Sequence, residues 1–178
     1  MADISIIVGA PNDKSRLYGI LEYALTILKR QNITYEIINI HTLPAEDLIK
    51  AKFDSAEINR ANRIVEQSVG VMILTPVYKA SYSGILKSYL DLLPQKIFKN
   101  KVILPLVIGG SFGHLLAIEY ALNPVLSALG ATNILNGVYT VDKQIERVDD
   151  SFSIHEEAQQ RLKNGLDALT NRLLVGKV

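Results

Sequence analysis

The chain contains no cysteine, only three histidines, and almost no excess of either charge. Without thiols there are no disulfides, iron–sulfur clusters or cysteine nucleophiles. His41, His114 and His155 are not spaced like metal ligands, so no metal site is expected. Nineteen basic against eighteen acidic side chains give a formal charge of +1. That balance leaves no footprint for general nucleic-acid binding and speaks against a strongly acidic electron shuttle. No apolar run reaches the roughly 18 to 20 residues of a membrane span. The start Met-Ala-Asp-Ile-Ser-Ile-Ile-Val lacks the basic stretch and cleavage site of a secretory signal. A cytoplasmic protein is expected, in which any redox chemistry rests on a bound organic cofactor.

What the sequence does have is alternation of element types. Ile4–Val8, Val69–Leu74, Val102–Ile108 and Thr132–Tyr139 are short apolar runs without polar alternation, as in strands buried on both faces. Ile33–Ile40 alternates more and reads as a strand nearer an edge. Helical patterns fill Ser15–Arg30, Ser55–Gln67, Ser83–Leu93, Leu115–Leu129 and Ile154–Leu174. Five strands alternating with five helices predict an α/β three-layer sandwich around a five-stranded parallel sheet of order 2-1-3-4-5. No linker or composition shift divides residues 1–178, so one domain is expected. His41–Phe53 reads as a long connection, functional or interfacial.

In such a sheet ligands bind at the carboxyl ends of the strands. Three loops lie there. Gly9-Ala-Pro-Asn-Asp-Lys-Ser-Arg16 leads into a helix whose first N–H groups are free for an anion, with Ser15 and Arg16 adding a hydroxyl and a guanidinium. It lacks both the dinucleotide glycine pattern and a Gly-Lys-Ser/Thr ending, which points to a mononucleotide phosphate. Simple capping by Asp13 or Ser15 explains the same residues about as well. Thr75-Pro-Val-Tyr-Lys-Ala-Ser-Tyr-Ser-Gly84 joins the third strand to a helix, and its proline, tyrosines and small residues suit a planar ligand. A plain strand-to-helix turn is the alternative. Gly109-Gly-Ser-Phe-Gly-His114 follows the fourth strand, and its paired glycines let backbone approach a ligand or simply serve a turn. Tyr78 and Tyr82 would stack on the ligand or cover the loop.

Thr75–Lys87, Leu90-Asp-Leu-Leu-Pro94, Gly109-Gly-Ser and His114–Leu129 together resemble the NADPH-dependent FMN reductases, most of all the sulfonate-assimilation type that supplies flavin to an alkanesulfonate monooxygenase. The similarity runs from Gly9 to about Tyr139. It implies a flavodoxin-like fold, FMN as ligand, NADPH as hydride donor to flavin N5, and no obligate catalytic side chain. By position, Gly9, Pro11, Ser15, Arg16 and Leu17 would hold the phosphate. Pro76, Val77, Tyr78, Lys79, Ser83 and Gly84 would flank the ribityl chain and isoalloxazine, with Gly109, Gly110 and Ser111 on the ring's polar edge. This chain has Ala10 and Asn12 where the resembling reductases carry serine and arginine. Two unreplaced contacts would weaken phosphate binding by about 1 to 3 kcal/mol, and Lys14 is placed to compensate. A flavin-retaining quinone or azo reductase and a non-enzymatic flavin carrier are the rival functions.

Pro124 falls deep inside the pattern Leu115–Leu129, where it removes the amide that would bond the Tyr120 carbonyl. Such a proline costs about 3 kcal/mol or more, so a kink or π-bulge around Tyr120 is expected. Two abutting helices are the plainer alternative. The resemblance places Tyr120 at a tetramer interface close to the flavin, and a homo-oligomer, dimer or tetramer, is expected.

Overall fold

The computed structural model describes residues 2–175. Strands β1 (Ile4–Val8), β2 (Tyr35–Asn39), β3 (Gly70–Tyr78), β5 (Val102–Gly109) and the short pair β6 (Asn133–Ile134) and β7 (Val138–Val141) form a parallel sheet. Its order, β2-β1-β3-β5 followed by β6 and β7, is the expected 2-1-3-4-5 with the fifth position split in two. The break falls at Asn136-Gly137, where the chain leaves one register on β5 and rejoins it further along. A seventh strand, β4 (Ser81–Tyr82), pairs antiparallel with the end of β3.

Both faces of the sheet are buried because both carry apolar side chains. On β1, Ile4, Ile6 and Val8 point to a core shared with helices α1 (Leu17–Arg30) and α6 (Glu156–Val175), while Ile7 points to the opposite core. The first core takes Leu17, Ile20, Leu21, Ala24 and Leu28 from α1, which recur at i, i+3 and i+4 along one face, and Ala158, Leu162, Leu166, Leu169 and Leu173 from α6, spaced three or four apart. Each large apolar side chain buried in this way contributes about 2 kcal/mol. The opposite core is closed by α3 (Ala56–Gln67), α4 (Gly84–Leu90) and α5 (Asn123–Ala128), with Tyr89 and Phe98 among its largest members.

The structure corrects four expectations. The connection 41–53 is not a loop, since it holds a 3-10 turn, Ile40–Thr42, and helix α2 (Ala45–Ile49). The helix expected over 83–93 ends at Leu90 with Asp91 as its C-cap. The third strand, expected to end at Leu74, continues through Pro76 to Tyr78 before β4 folds back. Finally, a hairpin of β8 (Ile145–Val148) and β9 (Ser151–Ile154) forms a second, two-stranded sheet where no element was expected. Around Tyr120 the expected expansion is present. Ile118–Leu122 is a turn of π-helix in which the Asn123 N–H bonds the Ile118 carbonyl, and Pro124 then sits in the first turn of α5. The bulge absorbs the missing amide, and the proline begins a new helix. No helix among the described residues is long and apolar enough to cross a membrane.

Candidate active site

A cavity of about 400 Å³ opens at the carboxyl ends of β1, β3 and β5. Lys14, Ser15 and Arg16 line it at the entrance to α1, Pro76, Val77 and Tyr78 at the end of β3, and Ile108 and Gly109 at the end of β5. Six of the residues expected to bind the ligand therefore line one cavity: Ser15, Arg16, Pro76, Val77, Tyr78 and Gly109. A larger cavity of about 580 Å³ lies between β6, β7 and α6, at the sheet's edge rather than at the strand ends.

The α1 entrance is built by local hydrogen bonds. Asn12 Oδ1 accepts from the Lys14 N–H at 3.0 Å, and Ser15 Oγ accepts from the Leu17 N–H at 3.2 Å. Among the described residues, the N–H groups of Asp13, Ser15 and Arg16 have no acceptor. Unpartnered N–H groups beside Lys14 and Arg16 are a fitting cradle for a phosphate. Leu17 is fully buried, does not line the cavity, and its N–H is taken by Ser15 Oγ. Ala10 is likewise fully buried in the core beneath the loop, and Asn12 serves the turn. Pro11 is exposed on the loop and does not line the cavity.

Beneath the rim, Ser83 ties the loops together. Its Oγ donates to the Gly9 carbonyl at 2.7 Å and accepts from the Leu86 N–H at 3.3 Å, capping α4, while its own N–H donates to Thr75 Oγ1 at 3.0 Å. Ser83 is buried and committed, so it positions the site without lining it. Gly84 starts α4 on the surface with no protein atom near the place a Cβ would take. Lys79 and Ala80 form the two-residue tip of the β3–β4 hairpin, with φ of 49° and 63°. Lys79 is exposed and does not line the cavity.

Two of the glycines have reasons within the protein. A Cβ on Gly9 would sit 2.8 Å from Leu86 Cβ, so this glycine lets α4 pack against the end of β1. A Cβ on Gly109 would collide with the Tyr139 hydroxyl, which crosses over it to donate to the Ser111 carbonyl at 2.7 Å. Burial, and secondarily Asp142, raises the pKa of Tyr139, keeping that hydroxyl a donor. Gly110 is different. Its nearest neighbour would be Asp142 Oδ2 at 3.8 Å, so nothing in the protein demands a glycine, and its surface is open. Ser111 is exposed, and its Oγ accepts from the Gly113 N–H at 3.2 Å.

Three lining residues, Asp142, Arg147 and Phe152, come from β7's end and the β8–β9 hairpin. Sequence reasoning missed them. The signal for β9 was the alternation in Ser151-Phe-Ser-Ile154, with Ile154 inward. Tyr120 is 79 % exposed on the π turn and follows Phe112 and Leu116, 57 % and 56 % exposed, at intervals of four. Among the described residues no cluster of histidines and carboxylates could hold a metal.

This arrangement suits a phosphorylated planar ligand, with its phosphate at α1 and its ring between the ends of β3 and β5. Comparison with known proteins identifies the family. Residues 2–146 match the model of the NADPH-dependent FMN reductase family. The chain is 40 % identical over 167 residues to FMN reductase (NADPH) of Escherichia coli (strain K12), covering 94 % of this chain and 87 % of that protein. It is 38 % identical over 161 residues to FMN reductase (NADPH) of Pseudomonas putida KT2440, covering 89 % and 82 %. The crystal structure of an NADH:FMN oxidoreductase, EMOB, in its apo form superposes with a TM-score of 0.84 at 31 % identity, over 95 % of this chain and 88 % of that one. A flavodoxin-like sheet, three strand-end loops around one cavity and similarity over nearly the whole length lead to one conclusion: the chain belongs to the NADPH-dependent FMN reductase family.

Proposed function

We propose that this chain reduces FMN with NADPH and passes the reduced flavin to a partner monooxygenase, in the manner of the sulfonate-assimilation type. The observation that carries the reading is the meeting of the β1, β3 and β5 loops at one cavity whose α1 side offers unpartnered N–H groups beside Lys14 and Arg16. Bound FMN supplies the hydride acceptor, which no side chain of this protein can provide. The chain's residues then have binding and orienting work. Ser15, Arg16 and the free N–H groups hold the phosphate, with Lys14 standing in for the charge that Asn12 does not bring. Pro76, Val77 and Tyr78 flank the ring, and backbone donors around Gly110 face its polar edge, where fixed dipoles stabilise negative charge as it develops. No side chain is needed as an obligate acid or base.

The exposed strip of Phe112, Leu116 and Tyr120 beside the site supports a homo-oligomer, dimer or tetramer, joined through the π turn. Work in the cytoplasm, where NADPH is made and used, goes with this reading. Purified protein given FMN and NADPH should consume nicotinamide absorbance well above the uncatalysed rate, and a rate no higher than that background sinks the proposal. Flavin that leaves the protein on gel filtration marks FMN as a substrate, whereas flavin that stays marks a retained group and a different electron acceptor.

A further inference from the structure

We infer that Arg147 is a phosphomonoester-binding residue, closing the cavity as a cationic clamp opposite Lys14 and Arg16. The inference rests on the functional reading above and deepens it. Lys14 and Arg16 reach the cavity from the start of α1, and Arg147 reaches it from the β8–β9 hairpin. Among the described residues none of the three takes part in an ion pair, and Asp142 is the one carboxylate in the lining. Three cations against one carboxylate around a single space are the complement of a dianion.

Arg147 is also held in place. It pairs with Phe152 across the hairpin, and its guanidinium carbon lies 5.8 Å from the centroid of that ring. A guanidinium held over an aromatic ring by this attraction makes no hydrogen bond to it and keeps its N–H groups for phosphate oxygens. The hairpin in turn is seated on α1. A Cβ on Gly19 would come within 2.9 Å of both Ile145 Cγ2 and Phe152 Cβ, so the helix lacks a side chain where the hairpin lies against it. The element that carries Arg147 is thereby fixed to the helix whose first turn carries the free N–H groups. Asn12 brings no charge to that loop, and its Oδ1 accepts from the Lys14 N–H. Arg147 stands one residue beyond the stretch that matches the family model, so family membership does not assign it.

Two groups in the proposed reaction are phosphomonoesters, the 5′-phosphate of FMN and the 2′-phosphate of NADPH. Proximity to the first turn of α1 places the FMN phosphate first. The test compares wild type with Arg147→Gln, measuring binding of FMN and of riboflavin by flavin fluorescence, and KM for NADPH and for NADH. FMN affinity should fall on the order of tenfold while riboflavin affinity holds, with Arg147→Lys recovering part of the loss. Unchanged FMN affinity with a raised KM for NADPH and an unmoved KM for NADH supports the clamp and gives it the dinucleotide's phosphate. Equal weakening of FMN and riboflavin, or no change in any of the four, overturns the clamp while wild type still reduces FMN. Wild type that neither binds FMN nor consumes NADPH overturns the reductase reading, and the clamp falls with it.

Discussion

Ser83 shows how a residue next to a ligand site acts without touching the ligand. Replacing it with alanine leaves the Gly9 carbonyl without its hydrogen-bond donor and removes the cap of α4. A buried group left unpaired costs about 1 to 3 kcal/mol and a lost cap about 1 kcal/mol, so Ser83→Ala should destabilise the fold by about 2 kcal/mol or more. Urea denaturation measures this, and FMN affinity should weaken with it because the β1 and β3 loops lose their shared latch. Tyr89 is the opposite case. Its ring is fully buried between α4 and the sheet, and its hydroxyl has no hydrogen-bond partner among the described residues. Burial raises its pKa well above the ordinary 10.0. Above about pH 10 the unfolded chain releases this proton while the folded chain keeps it, so the unfolded state holds fewer protons and stability falls as pH rises. Tyr89→Phe should stabilise the protein by about 1 kcal/mol at neutral pH and flatten that alkaline decline, both readable from urea midpoints. At this scale the sequence is only partly legible. Gly9 and Gly109 stand out as special positions, but the atoms that require them, on Leu86 and Tyr139, lie far along the chain and no local pattern names them.

Elements were easier to read where hydrophobic periodicity or a proline left a mark. The parallel strands and α1, α3 and α6 follow from their apolar spacing, and Pro124 alone announced the π turn. The hairpins were hidden for physical reasons. β4 is two residues long, and β8 buries only Ile145, its other three residues being exposed, so neither generates a period. The tip of the β3–β4 hairpin also lacks the glycine or asparagine that usually marks such a turn, since Lys79 and Ala80 both take left-handed backbone. Each such non-glycine residue costs about 1 to 2 kcal/mol. Glycine at position 80 removes one of these costs and returns about 0.5 to 1 kcal/mol through the freedom it adds to the unfolded chain. Ala80→Gly should therefore stabilise the protein by about 0.5 to 1 kcal/mol. An unchanged or lower urea midpoint would show that the tip is relaxed as it stands.

For the molecule as a whole, the core has two halves on either face of one sheet, and the cavity sits where three of that sheet's strands end. Fold class was legible because it follows from the alternation of elements, and strand order because a single α/β domain of this size commonly uses 2-1-3-4-5. How copies of the chain meet is a question of surface. If Tyr120 anchors the proposed interface, Tyr120→Asp should place a charge in an apolar contact and shift the protein to a smaller species in light scattering coupled to chromatography. The same mass as wild type would move the interface elsewhere.

The glycine notch on α1 carries a consequence for biosynthesis. Gly19 and the rest of the first helix leave the ribosome well before the residues that rest in the notch, since Ile145 and Phe152 follow Gly19 by more than 120 residues. A nascent chain stalled before them already owns all three strand-end loops, yet still lacks one wall of its cavity. Capture of the nucleotide should thus come after the last strand of the sheet has been made, too late to guide the sheet's assembly.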